Sequence, residues 1–127
     1  MVASASPIGT VEVDVSDRIV LRMPTETRFR SVATLVLGGI GSRLELPYER
    51  TDDLQLAVLS ALDASDDAIV TLEVDADEGG LRLALGPVRG GSSEDDGLIR
   101  VLSHLVDDVA HESRDGSEWL TLGIRAP

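Results

Sequence analysis

The chain has 127 residues, a formal net charge of −12 and no Cys. A chain of this length buries a single core without covalent staples, that charge repels a nucleic-acid backbone, and the missing thiols exclude disulfides, thiol catalysis and Cys-ligated metals. No apolar run approaches the length of a membrane span, and the opening MVASASPIGT has neither a basic region nor a long apolar stretch, so a soluble, cytoplasmic, membrane-free protein is expected. Residues 1–9 read as a flexible N-terminus to one domain covering 1–127.

The first elements alternate apolar and polar residues, as half-buried strands do. In TVEVDV, Val11, Val13 and Val15 face one way and Glu12 and Asp14 the other. After a turn at Ser16-Asp17, RIVLRMP places Ile19, Leu21 and Met23 in one row. Helical period follows: Phe29, Val32, Ala33, Val36, Ile40 and Leu44 form one stripe, with Pro24-Thr25 as lead-in and cap. A second helix is expected from about Thr51, with Asp52 and Asp53 in its first turn. Its stripe is Leu54, Ala57, Val58, Ala61 and Leu62, and Leu56 and Leu59 make the other side apolar too, which predicts a sandwiched helix.

Next comes a hairpin: IVTLEVDA (Val70, Leu72, Val74, Ala76) and LRLAL (Leu81, Leu83, Leu85), joined through Asp77-Glu78-Gly79-Gly80. Pro87 to Gly97, PVRGGSSEDDG, is the long irregular stretch, expected to be mobile from Arg89 to Asp96. A third helix after Gly97 buries Leu98, Leu102, Leu105 and Val109. A last strand, WLTLGIRA, aligns Leu120, Leu122 and Ile124. The order β-β-α-α-β-β-α-β, with one apolar face per strand, predicts an α+β protein: a two-layer α/β sandwich, its sheet mostly antiparallel, with three helices on one face.

That order, with MPTETRFRSVATLVLGGI, DLQLAVLSALDAS and LSHLVDDV, resembles the anti-sigma factor and serine-kinase branch of the histidine-kinase-like (Bergerat, GHKL) ATPase superfamily over roughly residues 19 to 126. The resemblance implies the histidine-kinase-like ATPase fold, with a nucleotide between helices and a lid loop. It also implies a bacterial transcription regulator that binds a sigma factor or a small anti-anti-sigma protein, often phosphorylating the latter with ATP. It further implies a homodimer, which the acidic outward residues Glu12, Asp14, Glu73 and Asp75 would direct toward an edge or loop rather than the sheet face.

Each nucleotide motif departs from that family. Its second helix carries Glu-x-x-x-Asn as base and magnesium ligand; the matching positions here are Ser60 and Ala64, and the chain has no Asn in any register. Asp63 and Asp67 keep the spacing but fall where the helix should end. The adenine-reading Asp-x-Gly-x-Gly is replaced by Gly86-Pro87-Val88-Arg89-Gly90, so Gly86 stands at the reading carboxylate and Val88 at a glycine. The phosphate loop is reduced to Gly97, behind Glu94, Asp95 and Asp96, whose carboxylates satisfy the helix dipole and repel a triphosphate. Neither ATP nor magnesium is expected as cofactor.

His104, Asp108 and His111 fall at i, i+4 and i+7 of the expected third helix, a spacing that could present metal ligands on one face; the same residues also read as its solvated side, and no metal is assigned. Ser60 lacks the elbow and oxyanion loop of a nucleophile. Trp119, Tyr48 and Phe29 are read as core or interface packing. Arg28 and Arg30, at the unfavourable end of the first helix dipole, are the candidate partner-binding residues. The reading that follows is a regulatory protein resembling an anti-sigma factor, acting by protein–protein interaction as a pseudoenzyme. The alternatives are an active ATP-dependent serine-protein kinase of the same family and a small-molecule sensor using the vacated nucleotide pocket.

Overall fold

A computed structural model of the chain describes the backbone of residues 10–13 and residues 18–125; the expected flexible segment 1–9, Asp14, Val15 and the Ser16-Asp17 turn lie outside the described residues. In chain order the elements are β1 (Thr10–Val13), β2 (Arg18–Pro24), α1 (Arg30–Arg43), α2 (Tyr48–Leu62), β3 (Ile69–Asp77), β4 (Gly80–Val88), α3 (Asp96–Leu105), β5 (Asp108–Arg114) and β6 (Ser117–Arg125). The strands form one six-stranded sheet in the order β1-β2-β3-β4-β6-β5, and every pairing is antiparallel.

Register turns the alternation of each strand into a shared apolar face. Leu21 lies opposite Leu72, Leu72 opposite Leu85, and Leu85 opposite Leu120, so one row of leucines crosses the sheet, each at most 2 % exposed. Burying a side chain of this size contributes about 1.5–3 kcal/mol relative to leaving it in water. The helices close the face from one side: Ala33, Leu37 and Ile40 of α1, Leu54, Val58 and Leu62 of α2, and Leu102 of α3 join the same core. Helix α2 lies between α1 and α3.

Several boundaries differ from the sequence expectation. Helix α1 is preceded by a 3-10 turn, Thr27–Phe29, and its N-cap residue Phe29 makes no side-chain cap. Thr25 caps nothing; its hydroxyl donates to the Asp67 carbonyl at 2.7 Å and its N–H to that of Ala68 at 3.0 Å, which fastens the end of β2 to the approach of β3. Helix α2 begins at Tyr48, with Pro47 as N-cap, a turn earlier than Thr51, because the N–H groups of Arg50 and Thr51 already donate to the Pro47 carbonyl. Of the second apolar side expected for α2, Leu59 is partly buried against the core while Leu56 is exposed. Tyr48 is 84 % exposed and belongs to no core.

The largest correction is at the third helix. It ends at Leu105, because Val106 turns extended at φ −128°, ψ 166°, and Val109 and His111 belong to an additional strand, β5. Its turn into β6 is Asp115-Gly116, with φ 50° and 82°, between the paired residues Arg114 and Ser117; positive φ at both central residues matches the twist of a two-residue hairpin. The Asp-Gly dipeptide was the available signal. It stayed hidden because β5 is an edge strand in which no residue is fully buried, so its sequence has little apolar alternation to show.

The α1–α2 connection is a helix terminus built against its own residue preference. The Leu46 N–H reaches the Gly41 carbonyl at 2.9 Å and the Glu45 N–H reaches Ser42 at 3.1 Å, a paired closure that puts the residue between them in the left-handed region. That residue is Glu45, at φ 57°, where glycine is ordinarily found. The closure also lets Leu46 turn into the core, 9 % exposed. Glu45→Gly is therefore expected to raise unfolding stability by about 1 kcal/mol, readable as a shift of the urea midpoint at unchanged m-value.

Asp107, just before β5, fastens three elements. Its carboxylate accepts the Arg125 backbone N–H at 2.8 Å and pairs with the Arg50 guanidinium of α2 at 2.9 Å. The Arg125 N–H holds its pKa below the ordinary 3.8, against an opposing desolvation and with help from the charge of Arg50. A depressed carboxylate stabilises fully above its unfolded pKa, and that contribution is lost as pH falls through the lower native value. Asp107→Asn is expected to cost about 1 kcal/mol at neutral pH and to flatten the loss of stability on acidification below pH 3.8, measured by denaturation across a pH series; an unchanged acid limb would show that other carboxylates govern it.

Candidate functional site

The positions singled out by the nucleotide-motif comparison fall at the end of α2, the end of β4 and the start of α3. Helix α2 ends at Leu62, so Ser60 lies in its last turn, half-buried, while Ala64 lies beyond it in the following turn, 3 % exposed. The pair does not share a helical face. Asp63 is the C-cap of α2 and Asp67 lies on the approach to β3, past the helix end as the sequence implied.

Backbone joins these segments directly. The Arg89 N–H donates to the Ala64 carbonyl at 2.7 Å, and the Ser65 hydroxyl donates to the Pro87 carbonyl at 2.8 Å. A further pair, Arg89 with Asp66 at 3.3 Å, is exposed and adds little. A register shift between Leu85 and Val88 returns Val88 to the core side, 7 % exposed. Gly86 faces the opposite, open side of the sheet, where the Trp119 ring lies on it so closely that a Cβ would overlap the indole. No carboxylate or open backbone is presented at Gly86 or Val88.

The stretch from Pro87 to Gly97 has more structure than its composition suggested. Strand β4 runs through Val88, Ser92–Glu94 forms a 3-10 turn, and α3 starts at Asp96. Ser92 is the anchor, 4 % exposed: its hydroxyl donates to the Arg89 carbonyl at 2.6 Å and its N–H to the Glu118 carboxylate at 3.1 Å. At the mouth of α3 the Asp95 carboxylate accepts the Leu98 N–H at 3.0 Å, so the helix end is occupied by its own anion. Gly97, the second residue of α3, is exposed beside it.

Arg28 and Arg30 differ in environment. Arg28 is 74 % exposed, pairs with Glu26 at 3.2 Å and lies 4.7 Å from the Phe29 ring centre. Arg30 is 22 % exposed and reaches Asp63 at 2.6 Å, placing a cation at the C-terminal end of α2, where the helix dipole favours it. It ties α1 to α2. His104, Asp108 and His111 are not brought together as ligands on one helix: His104 is in the last turn of α3, Asp108 and His111 are in β5, and Asp108 pairs with Arg125 at 3.4 Å. Among the described residues no group of three or more His, Asp or Glu side chains is arranged to hold a metal ion.

The open sheet face carries a network that the sequence did not point to. The Arg114 guanidinium stacks 4.1 Å from the Trp119 ring centre and donates to Glu73 and Glu112, each at 2.7 Å. Arg18 approaches Glu73 from the other side at 3.3 Å. The hydrogen bond to Glu73 is the first reason that the Arg114 pKa is raised further. The signal was the missing apolar residue at Gly86 opposite an aromatic strand, which becomes visible only once β4 and β6 are known to pair.

No protein-family model and no curated protein matches the chain.

Because the indole fills the space above Gly86, Gly86→Ala is expected to destabilise the fold by roughly 1–3 kcal/mol, the usual cost of overpacking. Chemical denaturation measures it; a loss within ±0.5 kcal/mol, as at a plain surface position, would show that the ring is free to move aside.

Proposed function

We propose that this protein is a regulatory binding protein of the anti-sigma type, carrying the histidine-kinase-like ATPase fold without its nucleotide chemistry, and that it works by occupying the surface of a sigma factor or a small anti-anti-sigma protein. One observation carries the reading: the hydrogen bonds Arg89 N–H to Ala64 and Ser65 hydroxyl to Pro87 join the ends of α2 and β4, the segments that carry two of the departed nucleotide motifs, directly to each other. Support also comes from Ala64 and Val88, which offer no side-chain donor or lone pair, and from the Asp95 cap on α3, which sets a carboxylate where a phosphate would lie. Of the two candidate partner-binding residues Arg28 is the one presented to solvent, and a guanidinium can exchange an exposed ion pair with Glu26 for a bidentate contact to a partner carboxylate at small cost.

Two measurements test this. Titration calorimetry with magnesium and ATP is expected to give no binding; a Kd below about 100 μM, worth ~5.5 kcal/mol, would overturn the pseudoenzyme reading. Affinity capture from the native host is expected to yield a sigma factor or an anti-anti-sigma protein, with binding weakened by ~2–5 kcal/mol in the Arg28→Ala, Arg30→Ala double variant. Arg28→Ala alone, which leaves the Arg30–Asp63 tie in place, separates loss of contact from loss of fold. Capture of neither protein class would overturn the regulatory assignment.

A further inference from the structure

The C-terminal half of α1 is weakly built on three counts. Gly38, Gly39 and Gly41 fall within four successive residues, and each glycine inside a helix lowers the helical population about five-fold relative to alanine. For Gly41 the fold supplies a reason, since a Cβ would overlap Thr51 of α2. Gly39 has none: it is exposed, and a Cβ there would meet nothing within 4 Å. The helix end is strained as well, because its closure holds Glu45 at φ 57°, a conformation unfavourable for any residue with a Cβ. Finally, the seat below is incomplete. A cavity of about 290 Å³ lies between Val36, Ile40 and Leu44 on one side and Ile19, Val74 and Ala76 of the strands on the other, so the segment forfeits the dispersion contacts that close packing would give.

The first half of the helix is held differently. Arg30 is tied to Asp63, the Gln55 side-chain amide of α2 donates to the Thr34 carbonyl at 2.9 Å, and Ala33 and Leu37 are at most 1 % exposed. The boundary between the secured and the weak half falls at Gly38-Gly39, where the backbone is freest to bend.

We propose that residues 38–46 form a flap that opens as one unit, hinged at Gly38-Gly39, while the sheet, α2 and the first half of α1 stay folded. A frayed helix end loses its residues singly. Here the buried side chains, Ile40 and Leu46, stand near the two ends of the segment, and the hydrogen bonds Leu44 N–H to Ile40 and Leu46 N–H to Gly41 tie those ends together, so neither side chain leaves the core without the other. Opening bares Ile19 and Val74 of the sheet, apolar surface that the closed flap overlies. The flap contains neither Arg28 nor Arg30 and shares no residue with the α2–β4 junction, so it stands whether or not the partner-binding reading does.

Native-state hydrogen exchange, followed by NMR at several low urea concentrations, tests this. The amides of Arg43, Leu44 and Leu46 are expected to exchange at one common opening equilibrium, about a hundred-fold faster than those of Leu83 and Leu122 in the central strands, and with a weaker dependence on urea. Gly39→Ala is expected to slow the flap amides about five-fold. Leu102→Val, which thins the core on the far side of α2, is expected to speed exchange at Leu83 and Leu122 about five-fold and to leave the flap amides unchanged, because opening the flap does not disturb α3. The proposal is overturned if the flap amides exchange as slowly as the strands, if Leu102→Val speeds both sets alike, if Gly39→Ala leaves the flap amides unchanged, or if rates rise residue by residue toward Leu46, as in a fraying end.

Discussion

The rest of the structure depends on the burial of α2 against the centre of the sheet. Its stripe of Leu54, Ala57, Val58, Ala61 and Leu62 is at most 1 % exposed, and it lies over the strands whose leucines cross the sheet in one row. Helices α1 and α3 are placed by reference to it: α1 approaches so closely that a Cβ on Gly41 would overlap Thr51, and α3 lies along its other side. The ends of α2 are then where the charged ties collect, Arg50 to Asp107 near its start and Arg30 to Asp63 at its finish. An apolar stripe has no direction of its own; these ties supply the direction.

The two faces of the sheet solve different problems. The inner face is an apolar lattice in which register aligns leucines. Among the described residues the outer face carries no second layer, and there Arg18, Arg114 and Arg125 each meet a carboxylate, with Glu73 held between Arg18 and Arg114. Exposed pairs of this kind contribute little to stability singly. Their larger effect is to limit self-repulsion where Glu73 and Asp75 project from one strand.

Legibility in the sequence followed burial. Strands β2, β3, β4 and β6 each set one face against the core, and their alternation was readable residue by residue; β5, an edge strand with no fully buried residue, left only Asp-Gly as its mark and was absorbed into the preceding helix. The start of α2 was hidden because Tyr48, Glu49 and Arg50 carry no apolar stripe, and its first turn is organised by the Pro47 carbonyl instead. At the candidate site the side-chain substitutions at Ser60, Ala64, Gly86 and Val88 could be read directly. The bonds that join those segments could not, because they run largely through backbone groups of Ala64, Pro87 and Arg89, which every sequence possesses.

The position of Trp119 has a practical consequence. It is the sole indole in the chain, and it lies on the open side of the sheet beneath the Arg114 guanidinium, on the opposite side from the helices. Its emission is therefore a native optical reporter for that surface alone. A protein settling over Arg114 and Glu73 would change the polarity around the ring, whereas one settling on the helices would leave it unchanged, so the two sides of the molecule can be interrogated separately without attaching a label.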